Sequence, residues 1–364
     1  MNSNTCQLND LGQRVWLDGI SRERLKSGRL GNLINDCGVT GMNSNSGSLE
    51  RAISTGHLYD AAIETLDASG LSGEALLLEL MLEDVTQAAD LLRPMFEASS
   101  GADGWISVEA PPAAPSRAED VVKTARHVHA AAARPNVLIQ VPGTADCMSA
   151  IEESIFDGMP IEVTLLFSRE HFAAAAHACM RGLERRMAAG LHLNVASVAS
   201  IEVNRWDVAV KEEISAPFHD RLGIAMAMRT YKAHNELLAS QRWHRLAAAG
   251  ARPPRLLWNG TASNGSAARD TFYVEALAAR GTITAVSEKT LTAFAKHGRA
   301  GTVLPPDGGF ADAVLEEFRR EGVADEALAA RLQSEAVDAL AASWRGLLRS
   351  VREKTALITA PHLP

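Results

Sequence analysis

The chain has no run of eighteen apolar residues, so no segment reads as a membrane-spanning helix. It also has no block of like charge. The net charge of −8 comes from acidic residues scattered over 364 positions, which leaves neither a nucleic-acid footprint nor a polybasic membrane patch. Four cysteines, Cys6, Cys37, Cys147 and Cys179, lie far apart without a CxxC pair, and the opening "MNSNTCQLND" lacks the basic and apolar parts of a signal peptide. Reduced thiols in a cytoplasmic protein are expected. Eleven histidines never fall into HxxxH or HExxH, so no histidine-built metal site is expected, and "RHVHA" (His127, His129) reads as helix surface. What remains is a globular composition, 46% apolar and 22% charged, with no internal repeat beyond alternating strands and helices.

Short β-branched runs alternate with longer stretches of helical period, the pattern of a parallel sheet covered on both faces. They fall at 14–20, 38–44, 104–110, 136–142, 161–168, 195–203, 255–261 and 282–288. Eight strands predict an α/β fold, one (β/α)8 TIM barrel over 1–364 with 305–358 as a helical C-terminal extension packed on it. Helices are expected at 74–98 and 169–190, and a long amphipathic one near 325–356. Leu328, Leu332, Ala336, Leu340, Trp344, Leu347 and Val351 share one face of the last, a stripe suited to core, to covering the barrel end or to an oligomer contact.

In such a barrel, chemistry belongs at the C-terminal ends of the strands. The polar residues there are Asp18, Asn43, Asn45, Glu109, Gln140, Glu162, Thr164, Ser200, Glu202, Asn259, Thr261 and Glu288. Alternation puts Glu162 with Thr164, Ser107 with Glu109 and Ser200 with Glu202 on shared faces, and turns Val163, Leu165 and Ile201 toward the helices.

The stretches "LNDLGQRVWLDGISRERLKSG", "DLLRPMFEASSGADGWISVE", "RPNVLIQVPGT", "VTLLFSREHF", "SVASIEVNRWD" and "FYVEALAARGTITAVSEKTLTAF" occur in the order in which similar ones occur in transaldolases. The chain resembles that family, in its long actinobacterial-type form, over nearly its whole length. The resemblance implies a (β/α)8 barrel and transfer of a dihydroxyacetone unit between sugar phosphates through a Schiff base on a strand-four lysine. It makes Asp18 the acid/base aspartate, Asn45 a substrate-hydroxyl ligand, Glu109 the glutamate that orients a water, and Arg205 a phosphate ligand, with Thr164 and Ser200 also at active-site positions.

Other positions depart from the family's pattern. Gln140 stands where the lysine of "IKIPAT" is usual, Glu162 replaces an asparagine, Glu202 an aromatic, and Asn264 a lysine; "NSNSG" replaces the "TTNPS" loop. A glutamine amide cannot form a Schiff base, because its nitrogen lone pair is delocalised into the carbonyl. Lys211, Lys232 and Lys289 are the candidates for a relocated nucleophile.

Asp18, Glu109, Glu162 and Glu202 together suggest three uses: acid/base catalysis without a covalent intermediate, a divalent metal ion held by oxygens, or a counter-ion set for an amine-bearing substrate. Catalytic roles are assigned to Asp18, Glu109, Glu162, Glu202 and Thr164, and substrate binding to Asn45, Gln140, Ser200, Arg205 and Asn264. The expected function is addition, elimination, condensation or cyclisation on a small polar or amine-bearing molecule, in specialised metabolism. A catalytically silent relative that binds a ligand or a partner protein, and a transaldolase with a relocated lysine, are the alternatives. Partners are a small-molecule substrate and, in a homodimer, a second copy; a monomer is equally compatible. No cofactor is required unless the carboxylates hold a divalent ion.

Overall fold

The computed structural model describes residues 3–111, 117–263 and 269–359. Eight parallel strands form a closed barrel: β1 (Arg14–Asp18), β2 (Val39–Asn43), β3 (Trp105–Glu109), β4 (Val137–Pro142), β5 (Ile161–Leu166), β6 (Ser197–Glu202), β7 (Arg255–Asn259) and β8 (Ile283–Val286). Each expected strand is present; β4 ends at the expected bound and the others one or two residues before it, where the βα loops begin. The expected helices run over Gly73–Ala98, Arg169–Ala188 and Asp325–Thr359.

The period of two along each strand builds the interior in layers. Trp16, Trp105, Leu138, Val198, Leu257, Ile283 and Ala285 pack together as an apolar plug inside the barrel. Two residues beyond Trp16, Leu138 and Leu257 on the same faces come Asp18, Gln140 and Asn259, and four beyond Trp105 and Val198 come Glu109 and Glu202. The apolar base therefore gives way to a polar layer toward the C-terminal mouth. Gly41 belongs to the plug by having no side chain: a Cβ there would stand 2.5 Å from the Trp16 indole nitrogen and 2.8 Å from the Trp105 carbonyl.

Alternation fails at one expected position. Val163 and Ile201 are buried on the outer, helix-covered side. Leu165 is only half-buried and lines the interior cavity. Its φ of +59° lies in the left-handed region, and the β5–β6 register shifts between Val163 and Leu166. Such a bulge rotates one side chain out of the alternating pattern.

After β8, the helix Ala311–Arg320 precedes the C-terminal helix Asp325–Thr359. Six residues of the expected stripe on that last helix are buried, and Leu340 is half-buried because it faces the cavity. Polar contacts tie the helix to the barrel mouth. Gln333 Nε2 donates to the carbonyls of Gly143 and Leu165 at 3.1 and 2.9 Å. Gly346 lets the helix approach Glu50, where a Cβ would lie 2.8 Å from a carboxylate oxygen. Lys354 Nζ donates to the Gly56 carbonyl at 2.8 Å and pairs with Asp60 at 3.0 Å.

Candidate active site

A cavity of about 730 Å³ opens at the C-terminal ends of the strands. Asp18, Asn45, Glu109, Gln140, Glu162, Thr164, Glu202 and Arg205 all line it, as does Asn259. Ser200 is not among the lining residues: it is buried, and its hydroxyl faces the Glu162 carboxyl. Thr261 donates its hydroxyl to the Ala285 carbonyl at 2.7 Å, and Glu288 pairs with Arg24 and Arg29 outside the cavity. Asn264 lies outside the described residues.

Strand register sets the centre of the site. Glu109 is paired with Gln140, and Gln140 with Glu162, so β3, β4 and β5 present carboxyl, amide and carboxyl side by side. Asn45 caps the helix Ser46–Thr55, its Oδ1 accepting from the Ser48 N–H at 3.1 Å, while its Nδ2 faces both Asp18 oxygens at 3.4 Å. The same helix start donates the Ser46 N–H to Glu109 Oε2 at 3.1 Å. On the far side, Asn259 Nδ2 donates to Glu202 Oε1 at 2.7 Å, and the Arg205 guanidinium stands 5.8 Å from the Phe167 ring centre.

Burial dominates the electrostatics. Loss of hydration pushes the Glu109 carboxyl up to about 7, against the opposing Ser46 hydrogen bonds and with help from nearby Asp18. Glu162 is likewise pushed up to about 7 by desolvation; the Ser107 and Ser200 hydroxyls oppose the shift, and Glu202 and Asp18 add to it. The Ser107 hydroxyl approaches without closing a well-formed hydrogen bond, and Glu162 Oε2 and Glu109 Oε1 are buried without partners. Desolvation raises Glu202 and Asp18 as well, opposed by Asn259 and Arg205 at the first and chiefly by Asn45 at the second.

The expected alternatives meet this geometry unequally. Among the described residues no three His, Cys, Asp or Glu side chains converge closely enough to hold a metal ion, so the donor set does not fit the divalent-ion reading. No described lysine lines the cavity. Lys289 lines a separate open cleft with Arg29 and His297, and Lys232 stands 4.0 Å from Asp312.

One wall was not foreseen from the strand ends. Val337, Leu340, Ser343, Trp344 and Arg345 of the C-terminal helix all line the cavity. The signal available was the apolar stripe itself, which allowed a helix covering the barrel end without naming the polar residues beside it.

The family described as Transaldolase/Fructose-6-phosphate aldolase matches residues 15–351. A protein named "Transaldolase" from Thermobifida fusca (strain YX) is 36% identical over 368 residues, covering 99% of this chain and 100% of its own. Another "Transaldolase", from Thiobacillus denitrificans (strain ATCC 25259 / T1), is 36% identical over 355 residues, covering 95% of this chain and 99% of its own.

Proposed function

Because this chain belongs to the transaldolase/fructose-6-phosphate aldolase family, we propose that it is a member working by acid/base chemistry without a Schiff base, on a small polar or amine-bearing substrate. The observation that carries the reading is the layer Glu109, Gln140 and Glu162 in a cavity that no described lysine lines. An imine needs a free amine, and an amide nitrogen is not a nucleophile. Two carboxyls poised near 7 can instead divide the work, one giving a proton to a leaving oxygen while the other takes one from the reacting carbon or hydroxyl. Asp18 lies near enough to both to add to the rise of each. Gln140 between them orients the substrate by hydrogen bonds. Addition, elimination, condensation and cyclisation all fit this division of roles, and a place in specialised metabolism fits a scaffold turned from sugar-phosphate transfer.

Incubation with fructose 6-phosphate and erythrose 4-phosphate, followed by borohydride and mass spectrometry, is expected to leave the protein unmodified. A reduced adduct mapped to any lysine would overturn the reading. With amino sugar phosphates as probe substrates, Glu162→Gln or Glu202→Gln is expected to lower turnover by about 100-fold, the ordinary weight of a positioned proton donor or acceptor. Equal rates in wild type and both variants would sink it.

A further inference from the structure

Resting on the acid/base reading of the same cavity, we infer that its ligand is a primary amine carrying an anionic group. The ammonium sits between Glu109 and Glu162 on the amide of Gln140, and the anion is drawn to Arg345 at the rim.

Two observations point to a cation at the floor. Glu109 and Glu162 are 7% and 1% exposed, both line the cavity, and each keeps one buried oxygen without a hydrogen-bond partner. A buried acceptor left unpaired is costly, and a ligand that donates to it recovers that cost. The groups acting on the two carboxyls are Ser46 and Asp18 for Glu109, and Ser107, Ser200, Glu202 and Asp18 for Glu162; none is a cation. The protein thus leaves the positive charge to be brought in.

The donor geometry narrows its kind. Three neighbouring strands each offer one acceptor: a Glu109 oxygen, the Gln140 carbonyl and a Glu162 oxygen. An ammonium has three donors pointing in different directions, whereas a guanidinium presents its donors in one planar fork suited to a single carboxylate. A compact ammonium, free to turn its three donors, suits acceptors carried on three neighbouring strands.

The rim supplies the opposite charge. Arg205 also lines the cavity, where it acts on Glu202 and lies 5.8 Å from the Phe167 ring centre. Arg345 lines the cavity from the C-terminal helix, flanked by Ser343 and Gly346, which contact the helix following β2. The helix that Ser343 and Gly346 touch follows β2, and β3 alone separates β2 from β4 in the barrel. An amino sugar phosphate carries an ammonium and an anion of this kind on one small frame.

The test is calorimetric titration with glucosamine 6-phosphate, fructose 6-phosphate and glucosamine, in two buffers of different ionisation enthalpy at pH 6. Glucosamine 6-phosphate is expected to bind at least tenfold tighter than either other probe. Its binding should release protons, because an ammonium beside Glu109 and Glu162 ionises carboxyls that hold protons up to about 7. Arg345→Ala should remove most of the advantage over glucosamine while leaving glucosamine itself unchanged, and Glu162→Gln should remove the advantage over fructose 6-phosphate. Fructose 6-phosphate binding as tightly as its amino counterpart, an Arg345→Ala variant with unchanged affinities, or no binding of any probe would each overturn the inference. The borohydride experiment judges the acid/base reading separately. An adduct there removes that reading whatever the order of affinities, and equal affinities without an adduct remove only the amine.

Discussion

Ser46 and Ser343 meet hydroxyl to hydroxyl at 2.8 Å, although 297 residues separate them along the chain. Ser46 also gives its backbone N–H to Glu109. One residue therefore joins the C-terminal helix to a carboxyl of the cavity floor, and the two cannot be displaced independently.

The seat of that helix can be weakened at its other end. Gln333→Ala leaves the carbonyls of Gly143 and Leu165 without their donor. Stability in urea is expected to fall by about 1–3 kcal/mol, the usual cost of stranding buried acceptors. Limited proteolysis should then cut within Asp325–Thr359 before the barrel; an unchanged cleavage pattern would show that the helix is held elsewhere.

The buried glutamates make stability fall with rising pH over a defined window. Folded Glu109 and Glu162 keep their protons up to about 7, while an unfolded glutamate loses its own near about 4.3. Between those values the unfolded state binds fewer protons, so each group's contribution is complete at low pH and lost as pH rises through 7. The loss is on the order of 3 kcal/mol per group at most. Relative to wild type, Glu162→Gln should gain stability at pH 8 and gain nothing at pH 4, by urea midpoints at both. A gain that does not depend on pH would contradict the assignment.

Gly41→Ala tests the plug beneath the cavity. The new methyl would press on the Trp16 indole and the Trp105 backbone. Overpacking of this kind costs about 1–3 kcal/mol. The thermal midpoint should drop, and the near-ultraviolet circular dichroism of the tryptophans should change with it; an unaltered spectrum and midpoint would mean that the plug yields freely.

A buried network braces the β1–β2 side of the mouth. Arg22 donates to Asp84 at 2.8 Å, Tyr59 donates its hydroxyl to the same carboxylate at 2.6 Å, and the guanidinium lies 4.3 Å from the Tyr59 ring centre. Arg22 also pairs with the more exposed Glu83 at 2.7 Å, so Asp84→Ala leaves the buried arginine its outer partner only and is expected to cost about 3 kcal/mol. Arg22→Met with Asp84→Leu should recover most of it; a double variant as unstable as the single one would show that the charge is not the cause.

How far the sequence reached depended on whether a feature is local. Strands announced themselves by period and by β-branched runs, so all eight were legible, as were the carboxyls at their ends. Leu165 was not, because a left-handed residue breaks the alternation from which its direction was read. Ser200 shares the inward face that alternation gives it, but its burial against the Glu162 carboxyl was not legible, since alternation gives the side of a strand and not the depth at which the cavity ends. Ser343 and Arg345 were invisible as site residues for a different reason: nothing in a helical stripe tells which distant loop it will meet. That some of the four carboxyls would hold their protons was legible from their crowding; how strongly Glu109 and Glu162 do so comes from burial, which only the closed barrel supplies.

The C-terminal helix also sets the order of events during synthesis. Chains emerge from the ribosome N-terminus first, and their parts begin to fold as they appear. All eight strands precede Asp325, so the barrel can close while one wall of its cavity is still missing. A nascent chain holding the carboxyl floor has no complete pocket until Gln333 through Lys354 have been made.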